Sequence, residues 1–207
     1  MPGNYWKAFH DEWPSSLPTY FDLGWQEHIS RKDRILEFGY GYGRNLGLLA
    51  ENGHENLFGY ELSPVAKMRS ISPHFNIVPT MEASLPSHEK FDIIMAIGVL
   101  SVLGTVKELK RVASTLVKKL RPGGRFLLCD YHYSKSKSGS YRNLDTTEYG
   151  NLHMTHPTWA PYPFFHFTES NIERIFWRAH QFTQIYLPSR NGELSEAGFN
   201  GVFHNVY

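Results

Sequence analysis

The chain has almost no cysteine, no surplus of charge and no long apolar run, and each shortage removes a class of protein. With a single cysteine, Cys129, no internal disulfide can form. Cys129 sits in the apolar run "RFLLCDY", which reads as a buried strand packed in a reducing compartment. Lys plus Arg total 21 against 20 acids, a formal charge of +1 over 207 residues. A nucleic-acid binder carries a surplus of cations to neutralise phosphates, so no nucleic-acid partner is expected. No apolar run approaches the ~20 residues of a membrane span, and no membrane partner is expected. The first residues, "MPGNYWKAFHDEW", lack the charged start and apolar stretch of a secretory signal, which makes the cytoplasm the expected location. Internal repeats are absent, and the one low-complexity stretch, "SKSKSGS" (134–140), reads as a mobile loop.

What is present suits a compact fold. Hydrophobic residues make up 41% of the chain, enough for a sizeable core, and the length favours one domain over residues 1–207. Apolar runs alternate with amphipathic stretches. "RILEF" (34–38) reads as a buried strand meeting a glycine turn, followed by a helix over 44–52 that Gly53 ends. "NLFGYE" (56–61) is a second strand, after which Ser63 and Pro64 read as the N-cap and first residue of a short helix. "FNIVP" (75–79) and "FDIIMAIGVL" (91–100) are the third and fourth strands. Val106, Leu109, Val112, Ala113, Leu116, Val117 and Leu120 then recur at helical spacing, with lysines and Arg111 on the remaining face. "RPGG" (121–124) breaks that helix, and "RFLLCDY" (125–131) is a fifth strand.

This alternation implies right-handed βαβ crossovers and a parallel sheet with helices on both faces. Toward the C-terminus a helix capped by Thr168 and running through His180 is followed by "QFTQIYL" and "NGVFHNVY", two strands with no helix between them. The expected architecture is a Rossmann-like, mostly parallel seven-stranded sheet with one antiparallel edge strand.

The strongest chemical signal is "ILEFGYGYGRNL". Glycines there permit a tight turn and close approach of a ligand to the backbone. The helix beyond offers free N–H groups at its start. The dinucleotide fingerprint G-x-G-x-x-G fails in both registers, because its third glycine falls on Arg44 or on Leu46. The run instead resembles motif I of class I S-adenosylmethionine (SAM)-dependent methyltransferases, acidic-x-G-x-G-x-G. Glu61, closing the second strand, "SLPSHEKFDIIMAIGVLSVL" and "LVKKLRPGGRFLLCDY" extend that resemblance in order over 34–130. "GYGRNLGLLAENG" is similar to the small tellurite-resistance-like and type-11 members.

The resemblance implies SAM as cofactor, with Gly39, Gly41 and Gly43 lining its methionine part and Glu37 supporting that end. It implies Glu61 on the ribose, Leu62 flanking the adenine, Glu82 as the nearest acid for the adenine amino group, and Ile97 with Gly98 beside the cofactor. Tyr40 and Tyr42, bulky for such a turn, would restrict or line the pocket.

The methyl acceptor is expected beyond the carboxyl ends of the strands. The resemblance implies that the aromatic segment 1–30 folds over the site as a lid, with Trp6, Trp13 and Tyr20 as acceptor contacts. The long insertion 131–167 adds Tyr133 and Trp159, and supplies His166, His132 and Tyr131 as candidate proton-handling groups. His153, His156 and His166 suggest a metal set as the alternative, but no H-E-x-x-H or paired-cysteine motif reinforces it, and no metal is expected. The function expected is methyl transfer from SAM to a small molecule. Its rivals are a SAM-dependent cyclisation or elimination, and a SAM-binding pseudoenzyme. A nucleic-acid methyltransferase is disfavoured because strand four ends in "AIGV", without the D/N-P-P-Y/F motif.

Overall fold

The computed structural model describes residues 19–64, 66, 75–81, 89–103 and 105–130, together with 167 and 175 and the backbone of 131, 142–147, 150–154, 164–166, 179–188 and 194–204. Five strands form its centre: β1 (Ile35–Phe38), β2 (Leu57–Tyr60), β3 (Asn76–Ile77), β4 (Phe91–Ile97) and β5 (Leu120–Tyr131). They lie in the order β3-β2-β1-β4-β5, and every adjacent pair among them is parallel. The chain order therefore reverses between β1 and β4. This switch point is where open α/β sheets carry their ligands.

Successive strand side chains point to opposite faces, and the core divides accordingly. Leu36, Phe38, Ile94, Ala96, Phe126 and Leu128 join one buried cluster, with Leu109, Val112, Ala113 and Leu116 of helix α2 (Val106–Lys119). Ile35, Ile93, Met95, Ile97, Leu127 and Cys129 join the other, with Leu46 and Leu49 of helix α1 (Arg44–Glu51). The sheet is thus covered on both faces, which explains why its strands read as nearly continuous apolar runs.

The helix ends follow local chemistry. Thr105 accepts the Glu108 N–H at 3.2 Å and caps α2. Gly53, at φ +82°, closes α1 by donating to the Ala50 carbonyl. Ser63 Oγ accepts the Ala66 N–H at 3.3 Å, with Pro64 at the first helical position. The "RPGG" segment ends α2 as expected, yet it already belongs to β5. Gly123 takes φ +75° and the β4–β5 register shifts between Phe91 and Ile93, so the break is absorbed as an irregularity of the strand.

Beyond β5 the backbone pairs β10 (Leu194–His204) antiparallel to β5, and β9 (Ala179–Pro188) antiparallel to β10. The reversed strand was expected at the edge; in this pairing β10 has neighbours on both sides, because β9 covers its outer hydrogen-bonding groups. The helix expected from Thr168 through His180 does not hold at its last two residues, since Ala179 and His180 belong to β9 and Ala179 is paired with Phe203; apart from Ile175, which is helical, the rest of it lies outside the described residues. Within the insertion, β6 (Arg142–Thr147), β7 (Gly150–Met154) and β8 (Phe164–His166) form a separate antiparallel sheet. Among the described residues no helix is long and apolar enough to cross a membrane.

Gly59 illustrates how tightly the α1 face is packed. A Cβ there would lie 2.5 Å from Tyr40 Cδ1 and 3.0 Å from both Leu46 Cδ1 and Phe75 Cε2. Gly59→Ala is therefore expected to destabilise the fold by about 1–3 kcal/mol, the usual cost of overpacking a core, measurable by urea unfolding. A companion Tyr40→Leu substitution should recover part of that loss.

Candidate cofactor site

At the end of β1 the chain leaves the sheet through three left-handed residues: Gly39 (φ +74°), Gly41 (φ +55°) and Gly43 (φ +78°). L-residues rarely adopt such angles, so the glycines are a backbone requirement. The Gly39 N–H donates to the Tyr60 carbonyl at 2.7 Å, tying the turn to the end of β2. The end of β4 closes on its other side, where a Cβ on Gly39 would lie 2.5 Å from Val99 Cγ2. Gly43 then serves as N-cap of α1 without a side-chain cap, leaving the first helical N–H groups facing the turn.

Two carboxyl groups flank this turn. Glu61, immediately after β2, is 5% exposed. Its Oε2 accepts the Gly41 N–H at 2.9 Å and its Oε1 accepts the Ser63 N–H at 2.7 Å, so one side chain joins the two strand ends. A carboxylate offers about four acceptor directions, and two remain for a ligand. Glu37, in β1, is fully buried on the α1 face. Its Oε1 accepts from Asn45 Nδ2 at 2.9 Å, while Oε2 has no hydrogen-bond partner. Burial pushes the Glu37 pKa up to about 8; the Asn45 hydrogen bond, the Arg44 cation and the Leu46 N–H oppose that rise, and the Glu61 charge adds to it.

On the opposite face, an open cleft of about 170 Å³ lies between the strand ends and α2. Phe38 and Tyr60, stacked with centroids 5.5 Å apart, line it together with Leu62, Thr80, Met81 and Val112. Leu62 is 52% exposed there.

The sequence-predicted residues fall into four groups. Glu37, Gly39, Gly41, Gly43 and Glu61 converge on one turn, and Ile97 with Gly98 (φ +63°) ends the adjacent β4. Tyr20 lies on the α1 side, but its ring is 2% exposed and packs with Leu23 and Trp25 against the sheet, in the core and not on an open face. Tyr40 likewise turns inward, edge-on to Phe75, in the room left by Gly59. Tyr131 ends β5 and His166 ends β8, and β8 runs beside the 3₁₀ turn Leu100–Val102 that follows β4. Trp6, Trp13, Glu82, His132, Tyr133 and Trp159 lie outside the described residues. Among the described residues no three His, Cys, Asp or Glu side chains are grouped to hold a metal.

Three contributors were not anticipated. Val99 packs on Gly39, Asp130 Oδ2 accepts the Leu100 and Ser101 N–H groups at 2.8 and 3.1 Å, and Asn45 contacts Glu37. Only Asn45 left a readable sign: it lies four residues before Leu49, on the apolar stripe of α1, where a polar residue demands a partner.

The topology and the turn define a Rossmann-like α/β protein with a ligand site at its switch point. The residues present fit an S-adenosyl cofactor. A glycine turn admits it, an unpartnered buried carboxyl oxygen waits beside the turn, and a second carboxylate with spare acceptor capacity closes β2.

A family model described as a methyltransferase domain matches residues 5–185. The chain belongs to this family: it is a class I SAM-dependent methyltransferase, and SAM is its cofactor. Several solved structures share the fold. A SAM-dependent methyltransferase from Methanosarcina mazei is 19% identical, covers 87% of this chain and 95% of its own, and superposes with a TM-score of 0.69. The 1,6-didemethyltoxoflavin-N1-methyltransferase of Burkholderia thailandensis, solved with that compound and S-adenosylhomocysteine, is 17% identical, with coverage of 100% and 91% and a TM-score of 0.59. The Bradyrhizobium japonicum N-methyltransferase NodS is also 17% identical, with coverage of 98% and 88% and a TM-score of 0.61. No sequence among the curated proteins matches the chain.

Glu37 gives the ligand-free protein a distinctive pH dependence. Its folded pKa, about 8, lies above the ordinary 4.5, so the folded state holds the proton more tightly than the unfolded chain. The contribution of this group to stability is fully present below pH 4.5 and is lost as pH rises to about 8, then levels off. Melting temperatures of the wild type, relative to Glu37→Gln, should fall across that window. Parallel curves for the two proteins would show that Glu37 is ionised throughout.

Proposed function

We propose that the protein transfers the methyl group of SAM to a small-molecule acceptor at the carboxyl edge of the β1–β4–β5 sheet. The observation that carries this reading is Glu61 spanning Gly41 and Ser63 in front of the glycine turn, with acceptor capacity left for two adjacent hydroxyls. Gly39, Gly41 and Gly43 pass along the methionine part, with Glu37 beneath them. Leu62, half-exposed on the cleft that Thr80 and Met81 also line, offers an apolar surface to the adenine. Glu82, next in sequence, takes the adenine amino group, and Ile97 with Gly98 forms the floor beside it.

When bound, the cofactor supplies a methyl group already activated on a sulfonium. The chain's own task is to align the acceptor and keep water out. Residues 1–30 and the insertion 131–167 form the cover in this reading, within a single domain spanning 1–207. Trp6, Trp13, Tyr133 and Trp159 are the acceptor walls, and Tyr20 supports them from within the core. His166, His132 and Tyr131 are the groups that receive a proton where the acceptor carries one. The course of β8 beside the Leu100–Val102 turn supports a place for His166 near the strand ends.

The near-neutral charge supports a small molecule over a nucleic acid. So does the compound carried by the Burkholderia thailandensis relative. The pairing of β9 and β10 beyond β5 supports the full seven-stranded sheet with its reversed strand. The buried single thiol, its pKa raised by desolvation, accords with a cytoplasmic protein.

Two measurements test the reading. S-adenosylhomocysteine should bind the purified protein, and Glu61→Ala should weaken that binding by about 1–3 kcal/mol, as for loss of a charged hydrogen-bond partner. Incubation with methyl-labelled SAM and small-molecule acceptors should move the label into a low-molecular-weight product with matching release of S-adenosylhomocysteine. SAM consumption without label in the product would instead mean elimination or cyclisation.

A further inference from the structure

We propose that Asn45 is a positioning residue: its buried amide links the Tyr20 backbone to the Glu37 carboxyl, so that the turn 19–25 and the cofactor site settle together. This inference rests on the cofactor reading above.

Asn45 is the second residue of α1 and is 6% exposed. Its Oδ1 accepts the Tyr20 N–H at 2.9 Å, and its Nδ2 donates to Glu37 Oε1 at 2.9 Å. A primary amide is rigid and planar. Holding its oxygen on Tyr20 therefore aims its nitrogen, and the amide accepts on one side while donating on the other at any pH.

Each end of this link matters. The Tyr20 turn is internally closed: Leu23 N–H donates to the Thr19 carbonyl, Trp25 N–H to the Tyr20 carbonyl, and the Thr19 N–H and hydroxyl to Asp22. Tyr20, Leu23 and Trp25 anchor it in the core beside α1. The Tyr20 N–H ties this turn to the helix by a hydrogen bond, beside the attraction between Asp22 and Arg44 of α1. At the other end, Glu37 has one oxygen on Asn45 and one without a partner. The charged groups facing Glu37 are Arg44 of α1 and Glu61 after β2. A ligand that engages Glu37 therefore favours the amide orientation that also fixes Tyr20, and by reciprocity an ordered Tyr20 turn favours the ligand.

Hydrogen exchange with and without S-adenosylhomocysteine tests the proposal. In the wild type, the ligand should slow exchange over 19–25 at least fivefold. In Asn45→Ala it should bind at least tenfold more weakly and leave exchange over 19–25 unchanged. In a Glu37→Leu background, which has no acceptor for the amide, Asn45→Ala should cost less than a further twofold, a non-additivity that a merely structural role does not produce. Asn45→Asp, nearly isosteric, keeps the acceptor for Tyr20 but donates to Glu37 only when protonated. Its affinity relative to wild type should fall as pH rises and that proton is lost, and this variant serves if Asn45→Ala folds poorly. Full ligand-induced protection of 19–25 in Asn45→Ala, or a wild-type pH profile in Asn45→Asp, overturns the proposal. The link can also be read without any ligand: Glu37→Leu should speed exchange of the Tyr20 amide at least fivefold. Binding failure in the wild type, with that acceleration present, would instead remove the cofactor reading.

Discussion

Where the chain goes after β1 is decided by the backbone at Gly39, Gly41 and Gly43, each held at a positive φ that a side chain resists. The Gly39 N–H reaches the Tyr60 carbonyl only along this path, and Val99 closes against Gly39 only because no Cβ intervenes. Gly43 then starts α1 at the place that puts Asn45 over Glu37. The Gly41 N–H donates to Glu61. Three strand ends are thus fixed to one another by a turn whose glycines contribute backbone alone, while Tyr40 between them anchors it in the core.

The two-residue period of the strands then divides what lies around the turn. Glu37 and Phe38 are neighbours in sequence, yet one joins a buried polar group on the α1 face and the other an aromatic stack on the α2 face. One side of β1 therefore supplies hydrogen-bonding capacity and the other a flat apolar surface. A ligand with a charged end and an aromatic end can use both without any strand being distorted.

Much of this was legible in the sequence because it is periodic or positional. The apolar stripe of α2, the buried runs of β1, β2, β4 and β5, and the spacing of Glu37, the glycines and Glu61 all carry their own pattern. Features that depend on distant partners were not. Tyr40 reads as an obstacle beside the glycines until Gly59, remote in sequence, is seen to receive its ring. Tyr20 reads as one more aromatic in a candidate lid, while its backbone N–H is what ties it to α1. Asp130 reads as the polar end of an apolar strand and says nothing of the loop it holds. The reach of β5 back to Leu120 was hidden because glycine and proline mark a break without saying whether a sheet absorbs it.

That loop has a consequence of its own. The carboxylate of Asp130 takes the N–H groups of Leu100 and Ser101, so the ends of β4 and β5 are clamped together from inside the protein, by a residue shielded from solvent. Platforms fastened from below do not draw on their covering for support. The relative position of the β4 and β5 ends, on which methyl transfer is aligned, is therefore set by a contact within the sheet and its own loop.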